Sequence, residues 1–445
     1  MASCERSSTQ APLFVSRRFA PLFWCQFFAA FDDNFFKSAL ALFILGHVGG
    51  ERGAALATLA TATLMAPYFI LSSLGGGFAD KYDKAAVAKR LKHIEIAAAA
   101  LAGLGFFLNS LPVLFLALAA FGALGALFGP VKYAALPDFL PRDELPAGNA
   151  LIEGATFVAI LLGSIGGALS MQGGGSPPLT ASVMVSLAAA SYSAARFIPP
   201  TPRAAPELAI DCNIARATAT LLFDLWRKTR LWRLGVVTTI FWLIGAVVLA
   251  LLPTLVTREL GGSELVVTLH FAAFAIAISA GAALAAFLLR GGIVLLPAAI
   301  GAAIGAIICG DLALTLAMLA PAAQSAPLAP AAYFVAPGAL HALIDLMLLS
   351  AAGGLIVVPS SAALQAESLE SERARIIGAV NVLNAGAIVG GGLIVAGLQD
   401  HGAPMASLFL GLGLFAGASS LWILSAVVVS PRGELLAITR GRARQ

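Results

Sequence analysis

Between Phe31 and Lys37 the chain reads FDDNFFK, inside a run that is otherwise apolar from Phe19 to Leu45. An ionisable side chain at membrane depth costs about 2.5–3.5 kcal/mol on insertion scales, so three of them beside Asn34 mark a working site by default. Asp33 and Lys37 stand four residues apart, acid before base. That spacing stacks them one turn apart on a helix and predicts that they neutralise each other. Asp32 and Asn34 project from other faces, and a merely structural pair has no need of them. His341 and Asp345 form a second pair at the same spacing. An imidazole beside a carboxylate can load and release a proton near neutral pH, or it can lock one tautomer in a closed helix contact; the spacing permits either. Asp311 has no local partner in sequence and must therefore face a cavity or another helix.

The elements that position these groups follow from composition. Hydrophobic residues make up 59% of the 445 and charged ones 11%, with a mean hydropathy of +0.92, far from the balance of a soluble domain. Apolar stretches long enough to cross a bilayer core of about 30 Å recur along the whole length. They predict twelve spans, near 19–46, 54–79, 93–109, 111–136, 150–171, 178–198, 231–256, 264–289, 292–319, 332–358, 376–399 and 403–429. The third is short, and its inner end can extend back through the 80s. The first lacks the cleavage site of a signal peptide and is too long for one. Of the 27 Lys and Arg, only Arg52 and Arg258 fall in loops after odd-numbered spans, while Lys37 and Lys132 lie within spans. Lys81, Lys84, Lys89, Arg90 and Lys92 gather in one even-side loop and Arg227, Lys228, Arg230 and Arg233 in another. This asymmetry predicts that both termini are cytoplasmic. The net charge of +4 then reflects topology and attraction to anionic lipid rather than nucleic-acid binding. Cys4, Cys25, Cys212 and Cys309 show no paired spacing, and no disulfide is expected.

The longest polar stretch separates spans six and seven. It predicts an N-terminal six-helix half over 1–198, a cytoplasmic linker over 199–230, a C-terminal six-helix half over 231–430 and a cytoplasmic tail over 431–445, the layout of a transporter built from two parallel repeats. The repeat is faintly legible. Asn149, Leu151 and Gly154 open span five with the spacing of Asn381, Leu383 and Gly386 in span eleven, and AALP after Pro130 is matched by AALQ after Pro359. The glycine-rich runs GSIGGAL (163–169) and GGGLIVAG (390–397) permit close helix approach and are expected where the halves meet and slide.

The loop GGGFADKYDK resembles the G-x-x-x-D-(R/K)-x-G-(R/K) loop between the second and third helices of the major facilitator superfamily. Gly76, Asp80, Lys81 and Lys84 fall on that pattern, with Asp83 in place of the usual Gly. The resemblance implies an all-α polytopic membrane protein of 12 transmembrane helices in two six-helix halves, whose loop latches the halves through Asp-to-Arg and helix-end contacts. The alternative is a solvated charged turn. FDDNFFKSAL further resembles the FNDN-x-FK motif of the bacterial lysophospholipid transporter family and of the related transporter domains fused to acyltransferases. That similarity continues through GPVKYAALPD (129–138), GNALIEGATFVAILLGSIGG (148–167), HALIDL (341–346), GGLIVVP (353–359) and ERARIIGAVNVLNA (372–385). It implies movement of lysophospholipids from the outer to the inner leaflet of a bacterial inner membrane, where an acyltransferase or acyl-carrier-protein synthetase partner restores the second chain. Asp32 departs from the family's Asn or Gly. FWLIGAVVLALLP (241–253) lacks the basic residue common in relatives, with Leu249 about where it would stand. The acyltransferase-fused branch tolerates this apolar segment better.

For such a substrate, Lys132 and Lys37 are the ammonium groups within spans and the candidates for its phosphate, with snorkelling a competing account of Lys132. Tyr133, Asn149, Asn381 and Asn384 can supply neutral hydrogen bonds. Glu153 and Asp33 can meet the amine of an ethanolamine head. Each can instead join helices through an interhelical hydrogen bond. Lys132, Tyr133, Asn149 and Glu153 are expected to form one polar cluster near the cytoplasmic side. The competing class is a proton-coupled exporter of amphipathic small molecules that uses Asp33, His341 and Asp345. An enzyme is not expected, because the H-x-x-x-x-D signature of glycerolipid acyltransferases is absent, and neither a nucleotide-phosphate loop nor any cofactor or metal motif appears. The expected working unit is a monomer.

Overall fold

The computed structural model describes residues 12–171, 175–211, 213–319 and 327–428. Cys4, Cys212 and the tail at 431–445 lie outside the described residues. Twelve long helices follow the twelve apolar runs: α1 (Ala20–His47), α2 (Gly50–Lys81), α3 (Lys84–Phe107), α4 (Leu111–Phe139), α5 (Leu145–Ser170) and α6 (Pro177–Arg196), then α8 (Thr229–Thr254), α9 (Glu264–Leu288), α10 (Leu296–Met318), α12 (Ala339–Glu367), α13 (Arg373–Asp400) and α14 (Met405–Ile423). Two shorter helices join them, α7 (Ile214–Arg227) and α11 (Pro330–Tyr333). Ten of the long helices, α8, α13 and α14 with their flanking turns, carry an apolar window able to cross a membrane. The other two are α1 and α3, because Asp32, Asp33 and Lys37 interrupt the first and Arg90, Lys92 and Glu95 the third. Charge within these two helices thus sets them apart from the other ten.

Two boundaries have identifiable physical causes, and one of them differs from the sequence reading. The tenth span opens at Ala339 rather than near 332, because Pro337 and Gly338 end the apolar run and Gly338 holds φ 76, a backbone state that glycine adopts without penalty. The third extends back through the 80s as expected and opens at Lys84, where Asp83 caps it by accepting from Ala85 N at 3.0 Å, which satisfies a first-turn donor. The same carboxylate accepts from Thr201 N at 2.9 Å, so Asp83 binds the α2–α3 turn to the chain leaving α6. Lys92 accordingly lies inside α3 and not in a loop.

Helices α1 to α6 pack on one another, as do α8 to α14; α2 meets α13, and α5 meets α9 and α12, across the seam between the two groups. The glycine runs do not lie on that seam. A Cβ on Gly163 would stand 2.4 Å from the Phe31 carbonyl oxygen, and one on Gly167 2.2 Å from that of Phe35, so GSIGGAL lets α5 touch α1 backbone to backbone within one group. Gly391 makes room for the Leu243 side chain of α8, while Gly390, Gly392 and Gly397 face open space. Glycine spacing reports close approach without naming the partner helix.

Helix α7 lies in the polar stretch between the two groups. Asn213 caps it by accepting from Arg216 N at 3.0 Å. The Arg216 guanidinium beside Asp211 pulls its carboxyl down to about 2. Thr218 shares a 2.9 Å hydrogen bond with Ser73 of α2, while Phe223 and Trp226 stay exposed.

Candidate functional site

The end of the bundle formed by the α2–α3, α4–α5 and α12–α13 turns carries most of the described cations and is here termed the basic end. Asp80, on the last turn of α2, reaches across the seam to the start of α13. Its carboxylate accepts from Ala374 N at 2.9 Å, Arg375 N at 3.1 Å and Arg375 Nε at 3.1 Å. Helix α13 has no capping side chain of its own, so Asp80 caps it from the other group, with carboxylate charge at the positive helix end. The approach requires Gly76, where a Cβ would fall 2.7 Å from the Ala374 carbonyl oxygen. Lys84 pairs with Asp138 at 3.0 Å, and Arg373 stands 3.6 Å from the same carboxylate. Lys81 stays outside this network, 5.8 Å above the Tyr82 ring.

Asn149 belongs to the same closure. Its Nδ2 donates to Gln365 Oε1 at 2.8 Å and its Oδ1 accepts from Gln365 Nε2 at 2.9 Å, a reciprocal amide pair between α5 and α12. Both side-chain atoms of Asn149 are therefore engaged by protein, the Nδ2 also donating to the Leu145 carbonyl at 2.9 Å. Ser279 donates to the Gly154 carbonyl at 3.3 Å. The contacts that join α1–α6 to α8–α14 through Asp80, Asp138, Asn149 and Gly154 fall within about 14 Å of the basic end, at 1.5 Å per helical residue. These polar contacts close the seam at the basic end.

Deeper in the first group, seven charged side chains share one region. Tyr133 Oη donates to Glu153 Oε1 at 2.7 Å, and Lys132 Nζ lies 4.7 Å from the Tyr133 ring centroid. Lys132 makes no hydrogen bond or ion pair with a protein group among the described residues, so its three donors remain unsatisfied by protein. On α3, Lys92 pairs with Glu95 and lies 4.2 Å above the Phe128 ring. Lys37 does not pair with Asp33 as the spacing predicts. Its Nζ donates to Asn34 Oδ1 at 3.1 Å, and Asn34 Nδ2 donates to Ala30 O at 2.8 Å. Asp33 instead shares the electrostatic field of Glu95, Lys92, Lys132 and Lys37, so the opposing charge comes from three helices and not from one turn of α1. Asp32 is fully buried, and neither carboxylate oxygen has a hydrogen-bond partner.

In the second group, Asn384 Oδ1 accepts from Thr239 Oγ1 at 2.8 Å, a contact within that group. Asn381 reaches α4, where its Nδ2 would lie 3.0 Å from a Cβ on Gly129. Phe157 of α5 and Trp242 of α8 stack across the seam at 6.4 Å and 20°. Leu249 is part of the apolar packing. His341 and Asp345 lie elsewhere. His341 Nε2 is 2.8 Å from Asp311 Oδ2 and 3.5 Å from Asp345 Oδ2, so Asp311 finds its partner across the α10–α12 contact. Residues 341 and 345 are within about 10 Å of the end opposite the basic one, whereas Asp33 lies about 20 Å in from the basic end on α1. One relay through Asp33, His341 and Asp345 is therefore not a single site.

Lys92, Glu95, Gln365, Arg373 and Arg375 are the residues sequence reasoning passed over. Lys92 and Glu95 were masked by a cationic run that reads as a loop. Gln365 stands in the AALQ that aligns with AALP, and both arginines stand in ERARIIGAV.

A model of the Major Facilitator Superfamily matches residues 22–392. The chain is 30% identical over 285 residues to the lysophospholipid transporter LplT of Serratia proteamaculans, covering 62% of this chain and 67% of that one. It is 29% identical over 163 residues to LplT of Yersinia enterocolitica, covering 37% and 38%. This second match spans little over a third of that relative's length. In fold, it superposes on the human organic anion transporter MFSD10 with a TM-score of 0.72 at 17% identity, over 91% of this chain and 99% of that one. A bacterial homologue of the iron transporter ferroportin gives 0.66 at 14% identity over the same shares.

Proposed function

Because the chain belongs to the major facilitator superfamily, we propose that it is a transporter, not an enzyme, and that it moves lysophospholipids from the outer to the inner leaflet of a bacterial inner membrane. The observation that carries this reading is Lys132, an ammonium above an aromatic ring with its hydrogen-bond donors unengaged by protein. A phosphate monoanion matches such a group in charge and donor need. Asp33 and Glu153, whose Oε2 is buried without a partner, suit the amine of an ethanolamine head. The names of the two LplT relatives favour the same substrate.

The positive-inside rule makes the basic end cytoplasmic, with both termini on that side. Closure there corresponds to a state open toward the outer leaflet. Residues 1–198 and 231–430 then act as two rocking bodies joined by the 199–230 linker, with Gly76, Asp80, Lys84, Asn149 and their partners as the inner gate. Opening that gate exposes Lys132, about 10 Å from the basic end, to the inner leaflet, where an acyltransferase or acyl-carrier-protein synthetase removes the delivered lipid by acylation. Consumption of product can sustain facilitated transport without proton coupling.

Uptake of labelled lysophosphatidylethanolamine into spheroplasts tests the reading. Expression of the chain in a strain lacking such uptake should restore it, and a protonophore should leave it largely intact. No restoration at normal membrane abundance overturns the substrate. Restoration that collapses fully with the protonophore keeps the substrate and replaces facilitated flipping with proton coupling.

A further inference from the structure

We propose that Asp311, His341 and Asp345 form a binding site for a divalent first-row transition cation of the Zn2+ class, accessible from the end of the bundle opposite the gate. The site is separate from the charged interior of α1, α3, α4 and α5. Ligand atoms from the three side chains lie within 4.8 Å of one another. His341 Nε2 is the shared centre, 2.8 Å from Asp311 Oδ2 and 3.5 Å from Asp345 Oδ2. Ligands about 2.0–2.2 Å from a tetrahedral Zn2+ are separated by about 3.3 Å, so a small outward shift of these groups admits the ion without moving either helix.

The second observation is Asp345 itself. Its side chain is 3% exposed, and Oδ2 has no hydrogen-bond partner while it faces the imidazole. A buried carboxylate oxygen left in that condition is costly, and a cation between it and Nε2 removes the cost. Imidazole with two carboxylates is a donor set that suits Zn2+ and its neighbours better than Mg2+ or Ca2+, which prefer all-oxygen shells. Three protein ligands leave a fourth position open to water. His341 and Asp311 are 49% and 44% exposed, and Asp311 lies seven residues from Met318, where α10 ends. An ion from the aqueous phase at that end therefore needs to travel only about 10 Å along the helix. Bound there, it ties α10 to α12 and leaves the charged pocket untouched.

The test uses full-length, tag-free protein in lipid nanodiscs, titrated with Co2+ and, in competition, Zn2+. Wild type should develop the visible ligand-field bands of a low-coordinate Co2+ site at one equivalent, and Zn2+ should abolish them. His341→Gln and Asp345→Asn should each weaken binding at least tenfold. Absence of bands in excess Co2+ overturns the proposal, as do bands unchanged in both variants. If either variant fails to insert, X-ray absorption of the Zn2+-loaded wild type decides. One imidazole with oxygen ligands supports the site, and sulfur ligands or several imidazoles overturn it.

Discussion

Helices α1, α3, α4 and α5 bring Asp32, Asp33, Lys37, Lys92, Glu95, Lys132 and Glu153 into one region of the first group. The matching depth of the second group carries Thr239, Asn384 and the ring of Phe241. The two groups nevertheless share backbone logic. Asn149 and Gly154 of α5 meet Gln365 and Ser279 across the seam, and Asn381 and Gly386 of α13 meet Gly129 and Phe69. The repeat thus keeps the seam-facing positions and lets the charge diverge. Buried charge is expensive wherever it stands; at the depth of Lys132 it gathers in the first group, while the buried carboxylate of the second, Asp345, lies near the opposite end. The proposed binding chemistry accordingly falls to the first group, with the second closing over it.

Removing charge from the charged group should have the largest effect. Asp33→Ala is expected to lower lysolipid uptake at least a hundredfold, about 2.7 kcal/mol of activation free energy, at normal membrane abundance. Normal uptake by this variant would return Asp33 to a packing role. Lys132→Ala should reduce lysolipid uptake severalfold more than that of a neutral amphipathic dye, and Lys132→Arg should recover part of it, since charge survives while geometry changes. Equal loss for dye and lipid would make the lysine a support for the fold.

At the seam, Gly76→Val places side-chain atoms against the Ala374 and Arg375 backbone, where even a Cβ meets carbonyl oxygen at 2.7 Å. Closure of the basic end should become a minor population, with transport reduced about tenfold. Spin labels at Tyr82→Cys and Glu370→Cys should report a longer distance than in the parent, and an unchanged distance would remove Gly76 from the gate.

Effects in the second group should be smaller. His341→Gln is expected to lower uptake less than tenfold, below about 1.4 kcal/mol; a complete loss would shift the comparison toward a proton-driven cycle. The smallest effect is expected at Asp32. Asp32→Asn removes a buried carboxylate with no partner, so thermal stability in detergent should hold or rise while uptake changes little. A fall in stability would reveal that the carboxylate is held by a contact formed in another state of the transporter.

The long helices were legible because a hydrophobic run of bilayer length leaves few alternatives, and the fold class followed from their number and the polar break before α8. Lys132, Tyr133 and Glu153 were legible as a cluster because the short α4–α5 turn brings their helix ends together. The Asp33–Lys37 pair was misread for a definable reason. Sequence spacing sees only neighbours on one helix, whereas Lys37 hydrogen-bonds Asn34 at i−3 and charges from α3 and α4 act on Asp33 beside that of Lys37. Lys92 was lost because a lysine in a cationic run looks solvated, and burial depends on Phe128 and Glu95 being in place.

Local chemistry and length alone determined that this chain crosses a membrane many times, that its basic residues favour one side, and that FDDNFFK and the 129–154 segment carry uncommon buried polarity. Those properties are additive along the chain, so no packing information is needed to read them. Only the tertiary structure decided that Asp80 caps α13 in trans, that Asn149 joins Gln365, and that Asp311 meets His341. Each of these contacts links residues 30 to about 300 positions apart, and which helix lies opposite is set by packing of whole faces, a quantity no local spacing encodes.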